Sequence, residues 1–382
     1  VLTAIAWLVS REVVAITWAP ARTPLEFNPY LWARWDSINY LAIAQHGRSF
    51  GRCGSAGEPA TALSRATHQT WCGTAGWLPG YPWLMHVFQA VGISLVDAGL
   101  IISWSAVAGA LFLAWWGWGR DLPPGRALLL LLLFGLFPGA VYNFGYFPTS
   151  LALVGVVGAL VAATRQRFWA AAVLMTLAGL CYPSAMFAAF GLAVGLVVMA
   201  VPLGGHQMVR RGLWGLAGLG SLLVLAIHDQ LAFGHADAFE LMETSPGLRA
   251  KGVPGEDLLR LVFSRTTFEQ RQIGRGSAVV LALQGVVAVV LAVASAVIAA
   301  TGGRLRRWDP LRVYPALVGL AVIGGIMVDQ ATGGAWNRSV VLAAPCVLGL
   351  RRLPWPVLAG AVVVAGTLAA LIAYTYFNGS LI

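Results

Sequence analysis

The 382-residue chain is 58% hydrophobic and only 10% charged, with a mean hydropathy of +0.75. A soluble domain carries about 25% charged residues, so these few charges cannot coat a folded surface, and a soluble fold is excluded. The net charge of +10 does not point to nucleic acid, because the arginines sit in pairs at the ends of apolar runs: Arg165 and Arg167, Arg210 and Arg211, Arg351 and Arg352, with a further cluster at Arg304, Arg306 and Arg307. Short basic loops of this kind mark the cytoplasmic side of a membrane protein. Residues 1–19 read as a first span, followed by a long polar loop over 20–95. Further apolar runs predict spans near 96–118, 127–141, 148–163, 168–182, 184–203 and 213–233. A second polar stretch covers 234–275, and spans near 276–300, 311–328, 339–350 and 354–377 complete the chain.

The runs are continuously apolar, so helices rather than a barrel are expected. The expectation is an all-α polytopic membrane protein: a single transmembrane domain of ten to eleven helices over residues 1–382. With residue 1 on the cytoplasmic side, every short basic loop becomes cytoplasmic and both long loops, 20–95 and 234–275, become exofacial. Prolines 138, 148, 183 and 345 break or shorten several of the spans.

In the first loop, Asn28-Pro29 is a helix start and Gly47 a stop. The helix between them carries an apolar stripe of Leu31, Trp35, Ile38 and Ala42, with Asp36, Asn39 and Tyr40 on another side. Its tryptophans and tyrosines suit a helix lying in the interface plane, which places Asp36 just outside the hydrocarbon. Downstream, WLPGYP (77–82) is a turn from which Pro82 opens a second short helix ending at Gly92. Ser94 and Asp97 then form a capping box for the next span, so Asp97 is assigned to capping. Cys53 and Cys72 share this loop and suit a disulfide in an oxidising compartment; two unpaired thiols are the alternative. Cys181 and Cys346 lie in apolar runs as buried thiols.

The runs RWDSINYLAIAQHG and LPGYPWLMHVF together resemble the start of the PIG-V-type family, relatives of GPI mannosyltransferase 2 within the GT-C glycosyltransferases. Three further stretches are similar to family segments: FPGAVYNFGYFPTSLAL (137–153), FGHADAFELMETSPG (233–247) and NRSVVLAAP (337–345). Phe147-Pro148-Thr149 and Cys181-Tyr182-Pro183 depart from the family pattern. The resemblance implies an inverting transferase that draws a sugar, most often mannose, from a polyprenyl phosphate on the exofacial side. Its partners would be that lipid-linked donor and a glycolipid, glycan or protein acceptor, in a bacterial plasma membrane.

Sugar transfer from a lipid phosphate needs a base for the acceptor hydroxyl and a cation for the departing phosphate. Asp36 takes the first role, its alternative being a structural pair with Arg34 or another arginine. Arg338 takes the second, since positive-inside placement gives no reason for it and arginine holds phosphate oxygens bidentately; its alternative is a salt bridge to Asp329. Tyr40, His46, Asn337 and His228 are candidate substrate contacts, although His46 also reads as an exposed helix-end histidine and His228-Asp229 as an interface marker. Asp237 and Glu240 are reserve bases. Glu240, Glu243, Arg265 and Arg271 otherwise read as solvated faces of the second loop. No P-loop, GxGxxG, CxxC pair or HExxH is present, so no metal ligands are assigned, and metal dependence stays open. A transporter or lipid flippase is the rival class, for which repeated halves and polar mid-membrane helices are the expected signs.

Overall fold

The computed structural model describes residues 1–16, 32, 36–55, 57–58, 65, 70–244, 268–301, 309–329 and 338–377. Among these, six helices are long and apolar enough to cross a membrane: Leu95–Gly119, Ser184–Leu203, Gly205–Phe233, Val279–Thr301, Pro310–Val328 and Trp355–Phe377. Four shorter apolar helices accompany them: Pro124–Gly135, Thr149–Thr164, Phe168–Cys181 and Val340–Leu350. The protein is a multi-pass integral membrane protein built as a helix bundle. Large apolar side chains on its outside, such as Leu231 at 83% and Val363 at 67% exposure, would be a liability in water and are ordinary against lipid.

The chain opens with α1 (Leu2–Ile16). The first loop contributes α2 (Ser37–His46), the short strands β1 (Phe50–Arg52) and β2 (Trp71–Gly73), and α3 (Gly80–Ala90). The bundle continues with α4 (Leu95–Ala114), α5 (Pro124–Gly135), the one-turn α6 (Val141–Phe144), α7 (Thr149–Thr164), α8 (Phe168–Cys181) and α9 (Ser184–Val198). Next come α10 (Gly205–Ala217), α11 (Gly220–Phe233), α12 (Ala238–Glu243), α13 (Phe268–Thr301) and α14 (Pro310–Asp329). A 3₁₀ helix (Val340–Leu350) and α15 (Trp355–Phe377) complete it.

Small residues let these helices approach closely, as lipid-embedded packing requires. A Cβ on Gly191 of α9 would lie 2.6 Å from the Leu317 carbonyl oxygen of α14, and one on Gly155 of α7 would lie 2.9 Å from the Ala178 Cβ of α8. Every residue of the 3₁₀ helix is buried, and it packs against α13 and α14 at the centre of the bundle. Pro345 lies within it and has no N–H to give.

The first loop departs from the all-helical expectation, since β1 and β2 pair antiparallel with Gly51 opposite Cys72. The Cys53–Cys72 disulfide closes this ribbon. Phe50 stacks on Trp71 with centroids 4.7 Å apart, and both pack with Phe233, Ala75, Ala238 and Met242. The described parts of the two long loops therefore pack on each other at one end of the bundle. The chain then descends through α7 and returns through α8, so Arg165 and Arg167 lie at the end away from Tyr182. By the same reasoning Arg351 is separated from Arg338 by the full 3₁₀ helix.

Helix α2 is described from Ser37, and the predicted Asn28-Pro29 start lies outside the described residues. It stops where expected, Gly47 taking a φ of +82° that favours glycine while its N–H bonds the Ile43 carbonyl. The buried face differs from the predicted stripe. Ser37, Tyr40, Ile43 and Ala44 face the protein, whereas Ile38 is 64% exposed. Leu31, Arg34 and Trp35 lie outside the described residues.

Candidate functional site

Asp36 occupies the N-cap position of α2 but makes no side-chain cap bond, and its backbone is already helical (φ −60°, ψ −17°). Its carbonyl oxygen accepts the N–H groups of Asn39 and Tyr40, leaving the carboxylate free to turn outward. There the Arg338 guanidinium donates to Asp36 Oδ2. Both side chains are part-exposed, Asp36 at 29% and Arg338 at 18%, so the pair is reachable from outside. Burial lowers the Arg338 pKa to about 10, which leaves the guanidinium charged at neutral pH. The helix N-terminus adds partial positive charge on the same carboxylate.

Tyr40, one turn along α2, is buried. Its ring meets that of Tyr81 edge-on at 6.0 Å, and the Tyr81 hydroxyl donates to the Gly99 carbonyl at 2.8 Å. Burial, followed by the neighbouring Tyr182 and Glu243, holds the Tyr40 phenol well above its ordinary pKa, so it stays neutral. Tyr182 and Ser339 share a hydrogen bond with oxygens 3.3 Å apart, and Ser339 follows Arg338 directly. The segment before Asp36 is anchored independently: the Tyr376 hydroxyl donates to the Trp32 carbonyl at 2.6 Å. Chain start, middle and end thus meet here.

A second polar cluster lies at the far end of α2. Arg48 donates to both carboxylate oxygens of Asp229 and to the Ala75 carbonyl. The Arg48 and Asp229 side chains are 2% and 0% exposed. His228 Nδ1 lies 2.9 Å from Asp229 Oδ1 and 3.1 Å from Arg48 Nη1. The guanidinium thereby ties the first loop to α11, and hydrogen bonds from its two terminal nitrogens offset part of the desolvation of the two charges.

The structure brings Asp36, Tyr40 and Arg338 together and leaves other candidates elsewhere. His46 closes α2, exposed, about 15 Å along the helix from Asp36. His228 belongs to the Arg48 cluster rather than to the Asp36 pair. Asn337 and Arg265 lie outside the described residues, as does the Asp329 side chain; for Arg271, only its place in α13 is described. Asp97 belongs to the α4 cap: Ser94 Oγ accepts its N–H at 3.1 Å and donates to its carboxylate at 2.6 Å. The reserve bases Asp237 and Glu240 are exposed, and Asp237 lies 3.7 Å from His235. Glu243 corrects the expectation of a solvated face: it is half-buried and acts electrostatically on Tyr40 and Tyr182.

Sequence reasoning missed Tyr182, Ser339, Arg48 and Glu243 as neighbours of these clusters. Only Tyr182 carried a local signal, in the Cys181-Tyr182-Pro183 departure between two spans. Among the described residues, no group of three His, Cys, Asp or Glu side chains could hold a metal ion. Compared with known proteins, the chain matches no family model, and no curated protein matches it at a significant level.

Proposed function

We propose that the protein is an inverting glycosyltransferase that takes its sugar, with mannose the first choice, from a polyprenyl phosphate at the exofacial surface. The reading joins the PIG-V-type resemblance of the first loop to one observation. Asp36 and Arg338, each assigned a role in this chemistry for separate reasons, touch across 302 residues of sequence. The same proposal includes the ten to eleven spans of a GT-C-like bundle, the exofacial placement of both loops and a bacterial plasma membrane.

The pair suits both halves of the displacement. The acceptor oxygen attacks the anomeric carbon as the bond from that carbon to the phosphate oxygen breaks. The acceptor proton passes to Asp36, and the electron pair leaves with the polyprenyl phosphate. Arg338 offers the phosphate charge-assisted hydrogen bonds in the geometry that guanidinium groups provide. A donor phosphate bound there competes with Asp36 for the guanidinium, so donor binding frees the carboxylate to act as base. Tyr40, kept neutral, can donate a hydrogen bond to a sugar or phosphate oxygen.

The test is direct. Purified protein is supplied with polyprenyl-phosphate mannose and a crude glycolipid acceptor fraction, and release of polyprenyl phosphate is followed. Acceptor-dependent release supports the reading. Transmembrane movement of the lipid without cleavage would overturn it in favour of a transporter or flippase.

A further inference from the structure

Away from the Asp36 site, α4, α7 and α8 enclose a groove of about 740 Å³ on the outside of the bundle. Its floor is one helical stripe of α7, Leu151, Val154, Gly155, Gly158 and Ala162, continued by Arg165 just past the helix end. The spacing of three and four residues places these side chains in one line. The small residues leave a trough, and the flanking Leu174 and Leu177 of α8 and Leu113 of α4 make its walls apolar. Along α7 the groove runs about 21 Å, more than the ~15 Å of hydrocarbon in one leaflet.

Its two ends differ in charge. Gly80, Trp83 and Cys181 close the end near the loops, whereas Arg165 and Arg167 stand at the other. Both arginines are exposed, and no carboxylate pairs with either among the described residues. The acidic groups at this end are engaged: Asp121 lies 3.5 Å from Arg120 and Asp309 lies 3.7 Å from Arg312. The Arg165 guanidinium lies over the Trp116 ring, 3.4 Å from its centroid, which fixes it at the groove mouth. Trp169, 61% exposed, stands just beyond Arg167, and exposed tryptophans mark headgroup depth.

We infer that this groove is a binding site for an anionic phospholipid of the leaflet opposite Asp36. Its phosphate lies between Arg165 and Arg167, and one acyl chain lies along the α7 stripe. Charge decides the occupant: a zwitterionic headgroup brings its own cation to two unpaired guanidinium groups, whereas an anionic one brings none. The inference does not rest on the proposed transferase reaction.

Native mass spectrometry of the full chain, equilibrated with equal phosphatidylglycerol and phosphatidylcholine, tests it. Wild-type protein should retain phosphatidylglycerol in preference by about tenfold. Arg165→Gln with Arg167→Gln should bring the preference near unity, while Arg165→Lys with Arg167→Lys should keep most of it. Ala170→Phe, which narrows the groove without altering charge, should lower retention of the lipid. Unfolding temperatures show whether each variant is folded, and the lysine pair keeps the test valid if the glutamine pair is not. Equal retention of both lipids by wild type, or an undiminished preference in a folded glutamine pair, overturns the inference. So does displacement of the lipid by polyprenyl phosphate in wild type and glutamine variant alike, since the groove would then hold an isoprenoid chain independently of the arginines.

Discussion

At the end of the bundle that carries Asp36, two arginines are drawn into ion pairs, while Arg52 stays exposed over the Trp71 ring. Arg338 reaches Asp36 across 302 residues and Arg48 reaches Asp229 across 181, with the Arg48 side chain 2% exposed. At the other end Arg120, Arg165 and Arg167 face outward, while Arg351 is buried and Arg312 pairs with Asp309. Arg165 and Arg211 lie over aromatic rings, of Trp116 and Phe168, and Arg120 pairs with its own neighbour Asp121. The same side chain thus does two jobs. Buried and paired, it fixes distant segments in one arrangement; exposed, it contributes little to the fold.

The sharpest way to break this contrast is to remove one carboxylate from each end. Asp229→Ala leaves the Arg48 guanidinium buried without its counter-charge, and about 3–5 kcal/mol of stability should be lost. Thermal unfolding in a mild detergent would report it as a large drop in the midpoint. Asp121→Asn, at the exposed pair, should change stability by less than about 1 kcal/mol. Equal effects at the two ends would remove the distinction.

Much of the bundle is legible in the sequence because hydrocarbon demands long apolar runs. The predicted spans at 148–163, 168–182 and 354–377 match α7, α8 and α15 to within a residue or two. Hydropathy sees only the part in contact with apolar surroundings, however. Helix α13 therefore starts at Phe268, ahead of the predicted 276, running through Glu269, Gln270, Arg271 and Gln272. Likewise Gly205–Phe233 contains two helices, α10 starting in the polar segment His206–Arg211 ahead of the predicted 213, with a turn at Gly218-Leu219 before α11. Strands of three residues are too short to show an alternation, and β1 and β2 went unpredicted for that reason.

The site was legible in its parts but not in its pairing. Asp36 and Arg338 each stood out by residue type and location, yet nothing local tells which carboxylate a given arginine will reach. The sequence offers Asp329 as the near partner of Arg338, and the fold brings Asp36 to it across 302 residues. Tyr182 and Ser339 escaped for the same reason, being 157 residues apart and joined only by packing.

Two smaller effects sharpen the comparison within the loop end. Replacing Cys53 and Cys72 by Ser removes a link across 19 positions, worth roughly 3 kcal/mol in the chain-entropy model. Unfolding with and without reductant should show that loss in wild type and no reductant effect in the double variant. Ser94→Ala deletes the α4 cap contact to the Asp97 N–H and should cost about 1 kcal/mol. The same unfolding assay would resolve a shift of that size, and no shift would mean that packing alone holds the start of α4.

The central claim is that Asp36 and Arg338 act as one unit with separate roles, and it is tested most directly by measuring turnover and donor affinity for two variants. Asp36→Asn is nearly isosteric and cannot take up the acceptor proton, so turnover should fall by about 10²–10⁴-fold. Its donor affinity should hold or rise, because Arg338 no longer has a carboxylate competing with the phosphate. Arg338→Ala should instead weaken donor binding together with turnover. Near-normal turnover in well-folded Asp36→Asn protein would contradict the account and move the search for the base to Glu243.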